Sequence, residues 1–465
     1  DPDRREGTYV ETEAGDAISQ RGTWNEMAWG NLKDVNHDVQ ADLAYSVLRK
    51  ASRPGMIKAG GMVVQRTRSS NLRRFSYELR GVDGLDLYGT IGGLLTPDNI
   101  GASEPGDGGY AQIEEVTSNS DDYVAKQALY AGYLMADLPL HARVRWMGGA
   151  RVEDSTQTVS TFELFNPDNV PVEARLHTTD VLPSTTMTFA IFPGDKPETM
   201  LVRLGYGRTL SRPEFRELST VPFNDFRTGV LYYGNPELQR GLIDHIDVRW
   251  EWYPRPGENL SVAGFYKGFR NPIEQVTAVS AVSGLASTFA NAERATNLGV
   301  EVDFRVTGEG LHEAIRDLYV SGNAAFIRSR IDLGDRAGND TSSERPLQGQ
   351  SPWVVNASIG YDNPESLISV SLLYNVFGPR ILDVGQSGIP DTYELPVHRL
   401  DLVGLIPLPQ DLQLRLRTTN LLDWPSRQRT GAELAEQRKD GVGFSVGVQW
   451  NAPQPKPRTG PPSRG

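Results

Sequence analysis

Two short stretches bring carboxylates beside guanidinium groups: RVEDS at 151–155 and EVDFRV at 301–306. Carboxylates in such company can act as general acid or base. A period of two, however, puts Glu301, Asp303 and Arg305 on one face of a strand and Val300, Val302, Phe304 and Val306 on the other. Charges confined to one strand face read as a solvated wall, and no nucleophile stands next to a base. The six histidines (His37, His141, His177, His245, His312, His398) never approach the short spacing of a paired metal site. Cysteine is absent, which excludes thiolate chemistry, disulfides and Cys-based metal binding. The acidic stretches SNSDDY (118–123) and DLGDRAGND (332–340) cluster oxygens that could suit Ca²⁺, but their spacing does not fit the known loop pattern. The expectation is a protein that is not an enzyme and uses no cofactor or metal.

Binding chemistry is better represented. SRPEFRELSTVPFNDFRTGVLYYGNPEL (211–238) interleaves Arg212, Arg216 and Arg227 with Phe215, Phe223, Phe226, Tyr232 and Tyr233. Arginine and aromatic side chains dominate binding hot spots, and long loops usually carry recognition. A structural role competes with this reading: Arg212 and Glu214 can tie neighbouring strands, and Gly234, Asn235 and Pro236 read as a turn that launches the next strand.

The elements that must position these residues are strands. In DHIDVRWEWYPRPG (244–257), Ile246, Val248, Trp250 and Trp252 share one parity and Asp247, Arg249 and Glu251 the other. Trp353, Val355, Ala357, Ile359 and Tyr361 form an apolar row with an aromatic at each end. Val442, Phe444, Val446, Val448 and Trp450 lie opposite Gly443, Ser445, Gly447 and Gln449, and Leu412, Leu414 and Leu416 lie opposite Gln413, Arg415 and Arg417. Such apolar faces need cover, yet almost no helical pattern is present to supply it. Either they meet lipid while the polar faces line a wet interior, or they pack in a soluble β-rich fold.

Connections decide between the two. Short turns are read at 49–55, 136–140, 193–197, 254–258, 362–366 and 407–411, with a longer link at 307–317. Long polar loops near 76–118, 160–171, 213–240, 275–288, 332–348, 381–394 and 425–440 alternate with them. All short turns then fall at one edge of an antiparallel sheet and all long loops at the other, the layout of a transmembrane β-barrel. About 15 strands are expected, an odd number that does not close an all-antiparallel barrel. Residues 1–21 are read as a loop-side segment, 22–450 as the barrel, and the proline-rich 451–465 as an extended tail on the turn side.

Composition agrees. Of 465 residues only 38% are hydrophobic, aromatics reach 9%, and the 47 glycines and 30 prolines suit many turns around a thin apolar band. A net charge of −12 without basic clusters argues against a nucleic-acid partner. No run approaches the roughly 18 apolar residues of a spanning helix, so membrane contact must be made by strands.

LGYGRTLSRPEFREL (204–218), YGNPEL (233–238), IDVRWEWYP (246–254), FYKGFRNPIE (265–274), FANAERATNLGVEVDFR (289–305), QSPWVVNASIGY (350–361), LLYNVFGPRI (372–381) and TNLLD (419–423) together resemble, in order, the C-terminal barrel of TonB-dependent outer-membrane receptors. The resemblance implies part of a barrel of about 22 strands occluded by a plug, with substrate held on the extracellular side. It also implies uptake of a scarce nutrient driven by a TonB–ExbB–ExbD-type inner-membrane complex acting on the plug. Neither a plug nor a coupling motif is recognised before residue 22, so a second chain supplying the plug and further strands is a possible partner, alongside outer-membrane lipid. The alternative is a non-transporting barrel that binds or builds a larger envelope assembly.

Overall fold

The structure is a computed structural model that describes residues 9–12, 15–18, 26–48, 54–80, 110–115, 117, 121–162, 171–191, 199–224, 231–280, 284–334, 342, 344–385 and 388–450. Fifteen long strands form the wall: β1 (Glu26–Val47), β2 (Gly55–Arg80), β3 (Tyr123–His141), β4 (Val144–Phe162), β5 (Pro171–Ala190), β6 (Thr199–Ser211), β7 (Gly241–Tyr253), β8 (Asn259–Arg270), β9 (Arg294–Thr307), β10 (Leu318–Asp332), β11 (Trp353–Asp362), β12 (Ser369–Phe377), β13 (Arg399–Leu408), β14 (Leu412–Thr419) and β15 (Gly443–Trp450). Each bonds antiparallel to the next. Such pairing satisfies nearly every backbone polar group inside the sheet, which is what a lipid environment demands.

Short turns and long loops alternate as the sequence implies. One turn moves: ADLPL at 136–140 is strand, because β3 continues to His141 through an irregularity between Pro139 and His141, and the chain reverses at 142–143. A bulge is one of the few places where proline fits a strand, since its missing N–H is not needed there. The turn at 193–197 and most of that at 49–55 lie outside the described residues. On the other edge the loops are partly ordered. The 275–288 loop is a hairpin, Ile273–Ser280 paired with Gly284–Asn291, and it extends into a small sheet with Leu231–Tyr232 and Phe223–Asn224. Segments of the 381–394 and 425–440 loops pair with each other in a second small sheet.

The burial pattern is inverted relative to a water-soluble domain. Leu43 (75% exposed), Val39, Leu134, Phe326 and Phe444 stand on the open outer face, while Glu153, Ser155, Asp180, Glu251 and Ser261 are buried on the inner one. An apolar surface this continuous is not tolerated in water and marks contact with lipid. The compact apolar clusters lie near the loop side, one around Phe215, Leu218, Val159 and Leu238 and one around Ile331, Leu333 and Ala292.

The strands follow a barrel order that returns from β15 to β1. That junction differs from every other. Both strands run from the loop edge to the turn edge, so neighbours there would be parallel, and no residue register links them among the described residues. From Trp29 to Leu48 every residue but Val47 is exposed, whichever face is considered. The wall therefore meets itself at a parallel junction, the one place where an odd strand count must show.

Candidate functional site

Serine 211 ends β6, and the chain turns into the lumen instead of away from it. Pro213 fixes the turn, its carbonyl accepting a 3.1 Å hydrogen bond from Gln157 Nε2 on β4. The one-turn helix α1 (Phe215–Leu218) follows, where the Glu214 N–H donates to Glu217 Oε2 at 2.9 Å. Phe215 and Leu218 are each 1% exposed, packed against Tyr123, Ala125, Val159 and Ala174 of the wall. The Arg66 and Arg68 guanidinium groups stand 5.1 and 5.5 Å from the centre of the Phe215 ring, and both donate to Asp34. Gly234 closes the site from below: its N–H donates to Ser219 O at 2.8 Å, and a Cβ there would lie 2.3 Å from that oxygen. Only glycine leaves room for the approach.

Arg212 donates to Glu153 Oε2 at 2.8 Å while Arg151 donates to Oε1 at 2.6 Å, so a single buried carboxylate is held by two guanidinium groups. At the exit of the segment Arg240 donates to one oxygen of the buried Asp180 at 2.5 Å. A buried charge is tolerated when it is paired and hydrogen-bonded like this. The tying role considered for Arg212 is therefore what the geometry shows; Glu214 lies 4.0 Å from Arg66. Burial raises the Glu217 carboxyl above the ordinary carboxylate range, and it raises the Tyr233 phenol as well.

Of the proposed binding residues, Arg212 and Phe215 are committed to this packing, whereas Arg216 is exposed. Tyr232 and Tyr233 are half-buried beside the 273–291 hairpin, Tyr233 N–H donating to Ser287 O at 3.1 Å. Phe223 pairs with Tyr232 in the small sheet. Phe226 and Arg227 lie outside the described residues, as do 118–120 and 335–340 of the acidic loops and the 451–465 tail.

The lumen charges share one face as their parity requires. Arg249 and Arg203 contact Glu251 at 2.9 Å each, and Arg249 also donates to Ser261. Asp303 accepts from Asn259, Arg305 lies over the Tyr319 ring at 3.9 Å, and Glu301 and Asp247 remain exposed.

Beyond them the wall opens into a cleft of about 480 Å³ that single strands do not reveal. Asn375 donates to Asn356 and Asn356 to Asn323, at 2.6 and 2.8 Å, making an amide ladder across β12, β11 and β10. Asp303 and Arg305 flank it on one side, Arg399 and Asp401 on the other. Each asparagine sits at an inward position of a different strand, so the only sequence signal was an isolated Asn among alternating residues. Amides, carboxylates and guanidinium groups facing a bore can hold polar solutes by hydrogen bonds.

An antiparallel sheet with lipid-compatible exterior, polar lumen and inward-folded loops defines the class of outer-membrane-type β-barrels. Residues 3–421 match the family described as TonB dependent receptor-like, beta-barrel, and the chain belongs to the TonB-dependent receptor family. No curated protein matches. Among solved structures, the chain is similar to the siderophore receptor PiuA from Acinetobacter baumannii, with TM-score 0.52 and 11% identity over 91% of this chain and 63% of that one. It is likewise similar to the ferric yersiniabactin uptake receptor FyuA from Yersinia pestis, with TM-score 0.53 and 12% identity over 93% and 56%. The ferric-catecholate import receptor Fiu from E. coli K12 gives TM-score 0.53 and 11% identity over 91% and 63%. The chain thus spans less than two thirds of the length of these structures, and at such identities the likeness is one of fold.

Proposed function

We propose that this chain forms the greater part of the wall of a Gram-negative outer-membrane receptor that takes up a scarce nutrient by energy-coupled gating, with the long loops outside the cell and the short turns in the periplasm. The observation that carries the reading is the inverted burial of the sheet: exposed leucines, valines and aromatics outside, buried carboxylates and amides inside. Family membership supports the receptor class. Arg216, Tyr232 and Tyr233 at the loop side and the amide cleft below form the surfaces on which a polar nutrient is recognised. The 1–21 and 451–465 segments act as loop-side and periplasmic appendages of the 22–450 barrel.

Uptake by a strain deleted for the locus, supplied with ferric chelates, cobalamin, glycans or peptides in turn, tests the proposal. One nutrient is expected to lose uptake on deletion and equally on removal of the inner-membrane TonB-type complex. Uptake that persists without that complex defeats the energy-coupled reading. The parallel meeting of β15 and β1, forced by an odd strand count, favours a second element of the proposal, that further strands, with a plug, complete the wall from outside the described chain. Purification from native membranes under mild detergent is expected to return these strands with the chain; a chain that forms a detergent-resistant, heat-modifiable barrel alone excludes them.

A further inference from the structure

On the lipid-facing surface, β7 to β10 carry a groove whose chemistry changes abruptly with height. Register places Phe326, Val300, Gly264 and Val248 on one cross-strand row, and Arg328, Leu298, Tyr266 and Ile246 on the next toward the loops. The following row holds Arg330, Thr296, Gly268 and Asp244, and the one above it Asp332, Arg294 and Arg270. Successive rows on one face lie about 7 Å apart along the strands. Within two or three rows, then, an apolar surface gives way to an arginine-rich one.

The lower rows are not flat. Gly264 has nothing within 4 Å of where a Cβ would stand, and it floors a groove of about 650 Å³ bordered by Val248, Tyr266, Val300 and Phe326, with Arg328 at its upper end. In the upper rows several charges neutralise one another: Arg330 pairs with Glu344 at 2.7 Å, and Arg208 and Arg270 pair with Asp244 at 2.8 and 3.0 Å. Asp332 accepts the Gly334 N–H at 3.0 Å. Arg294 and Arg328 form no ion pair among the described residues, and both are exposed.

We propose that this face binds one anionic phospholipid, an acyl chain lying in the groove over Gly264 and the phosphate, not neutralised by a headgroup cation, held by Arg328 and Arg294. Charge complementarity identifies the occupant. Hydrocarbon alone gains little by moving from bulk lipid into an apolar groove. Selectivity must come from the headgroup, and guanidinium groups bind phosphate by paired, charge-assisted hydrogen bonds. The acyl groove fixes where that phosphate sits relative to the two cations. The proposal rests on the membrane reading above.

Full-length protein, delipidated in detergent, is titrated with dioleoyl phosphatidic acid and dioleoyl phosphatidylcholine, whose chains are identical, and bound lipid is counted by native mass spectrometry. Phosphatidic acid is expected to bind at least about tenfold more tightly, the scale of one charged hydrogen bond. Arg294→Gln with Arg328→Gln is expected to bring it down to the phosphatidylcholine level. Gly264→Phe fills the groove without touching a charge and is expected to weaken phosphatidic acid binding as well. Equal binding of the two lipids, or undiminished phosphatidic acid binding by the arginine variant, overturns the site. Competition by inorganic phosphate at concentrations matching the lipid would show an anion site with no lipid role and overturns it too. A chain that stays monodisperse without detergent instead removes the membrane reading on which the site rests.

Discussion

Two regions of the same inner face handle buried polarity in opposite ways. At the loop side, Glu153 is shared between Arg151 and Arg212, α1 drives Phe215 and Leu218 against the wall, and the result is a closely packed, buried cluster. Across the lumen, Asn323, Asn356 and Asn375 bond to one another yet stay open to the bore, with Asp303 and Arg399 beside them. The first region spends its charges on holding a loop inward. The second keeps donors and acceptors available. Removing a residue from the first should therefore cost structure, and removing one from the second should cost binding.

Phe215→Ala tests the contrast most severely. Deleting a fully buried phenylalanine ring costs about 3–5 kcal/mol, so amide exchange through 212–240 is expected to accelerate by roughly two orders of magnitude or more. Unchanged exchange there would mean that α1 does not hold the loop. Glu153→Ala comes next. It leaves two guanidinium groups facing each other without their carboxylate, a loss of about 3 kcal/mol by analogy with broken buried pairs, and trypsin is expected to cleave after Arg216 much faster than in the parent.

Asn356→Ala breaks the middle of the amide ladder at about 1 kcal/mol of stability. It is expected to leave 212–240 protection unchanged while weakening nutrient uptake several-fold. Loss of loop protection would show that the two regions are one unit. The smallest effect is a pH dependence. Glu217 has its carboxyl raised by burial, so the folded loop binds the proton more tightly than the unfolded one. Its charge disfavours the folded loop above the raised value, and that penalty disappears as pH falls through it toward the ordinary carboxylate range. The protection factors through 215–235, with the intrinsic pH dependence of amide exchange divided out, should thus rise modestly on acidification from neutral pH, and Glu217→Gln should flatten that rise.

Period-two alternation with alternating link lengths was enough to expect a membrane barrel of about fifteen strands, because lipid on one side and water on the other force that pattern on every strand. Local chemistry was harder to read. Pro139 looked like a turn former, yet cross-strand pairing carried β3 past it. The 275–288 segment, read as a polar loop, is a hairpin that also pairs with the neighbouring segment at 231–232.

The chain's own order of residues determined which side chains face lipid and which face the lumen, since parity is set by covalent geometry and holds along each strand. Register between strands, and hence which lumen residues meet, was decided only by tertiary structure. Arg212 finds Glu153 across 59 residues of sequence, and three isolated asparagines become a ladder. Such meetings depend on how many residues each turn and loop consumes, a long-range sum that no local pattern encodes.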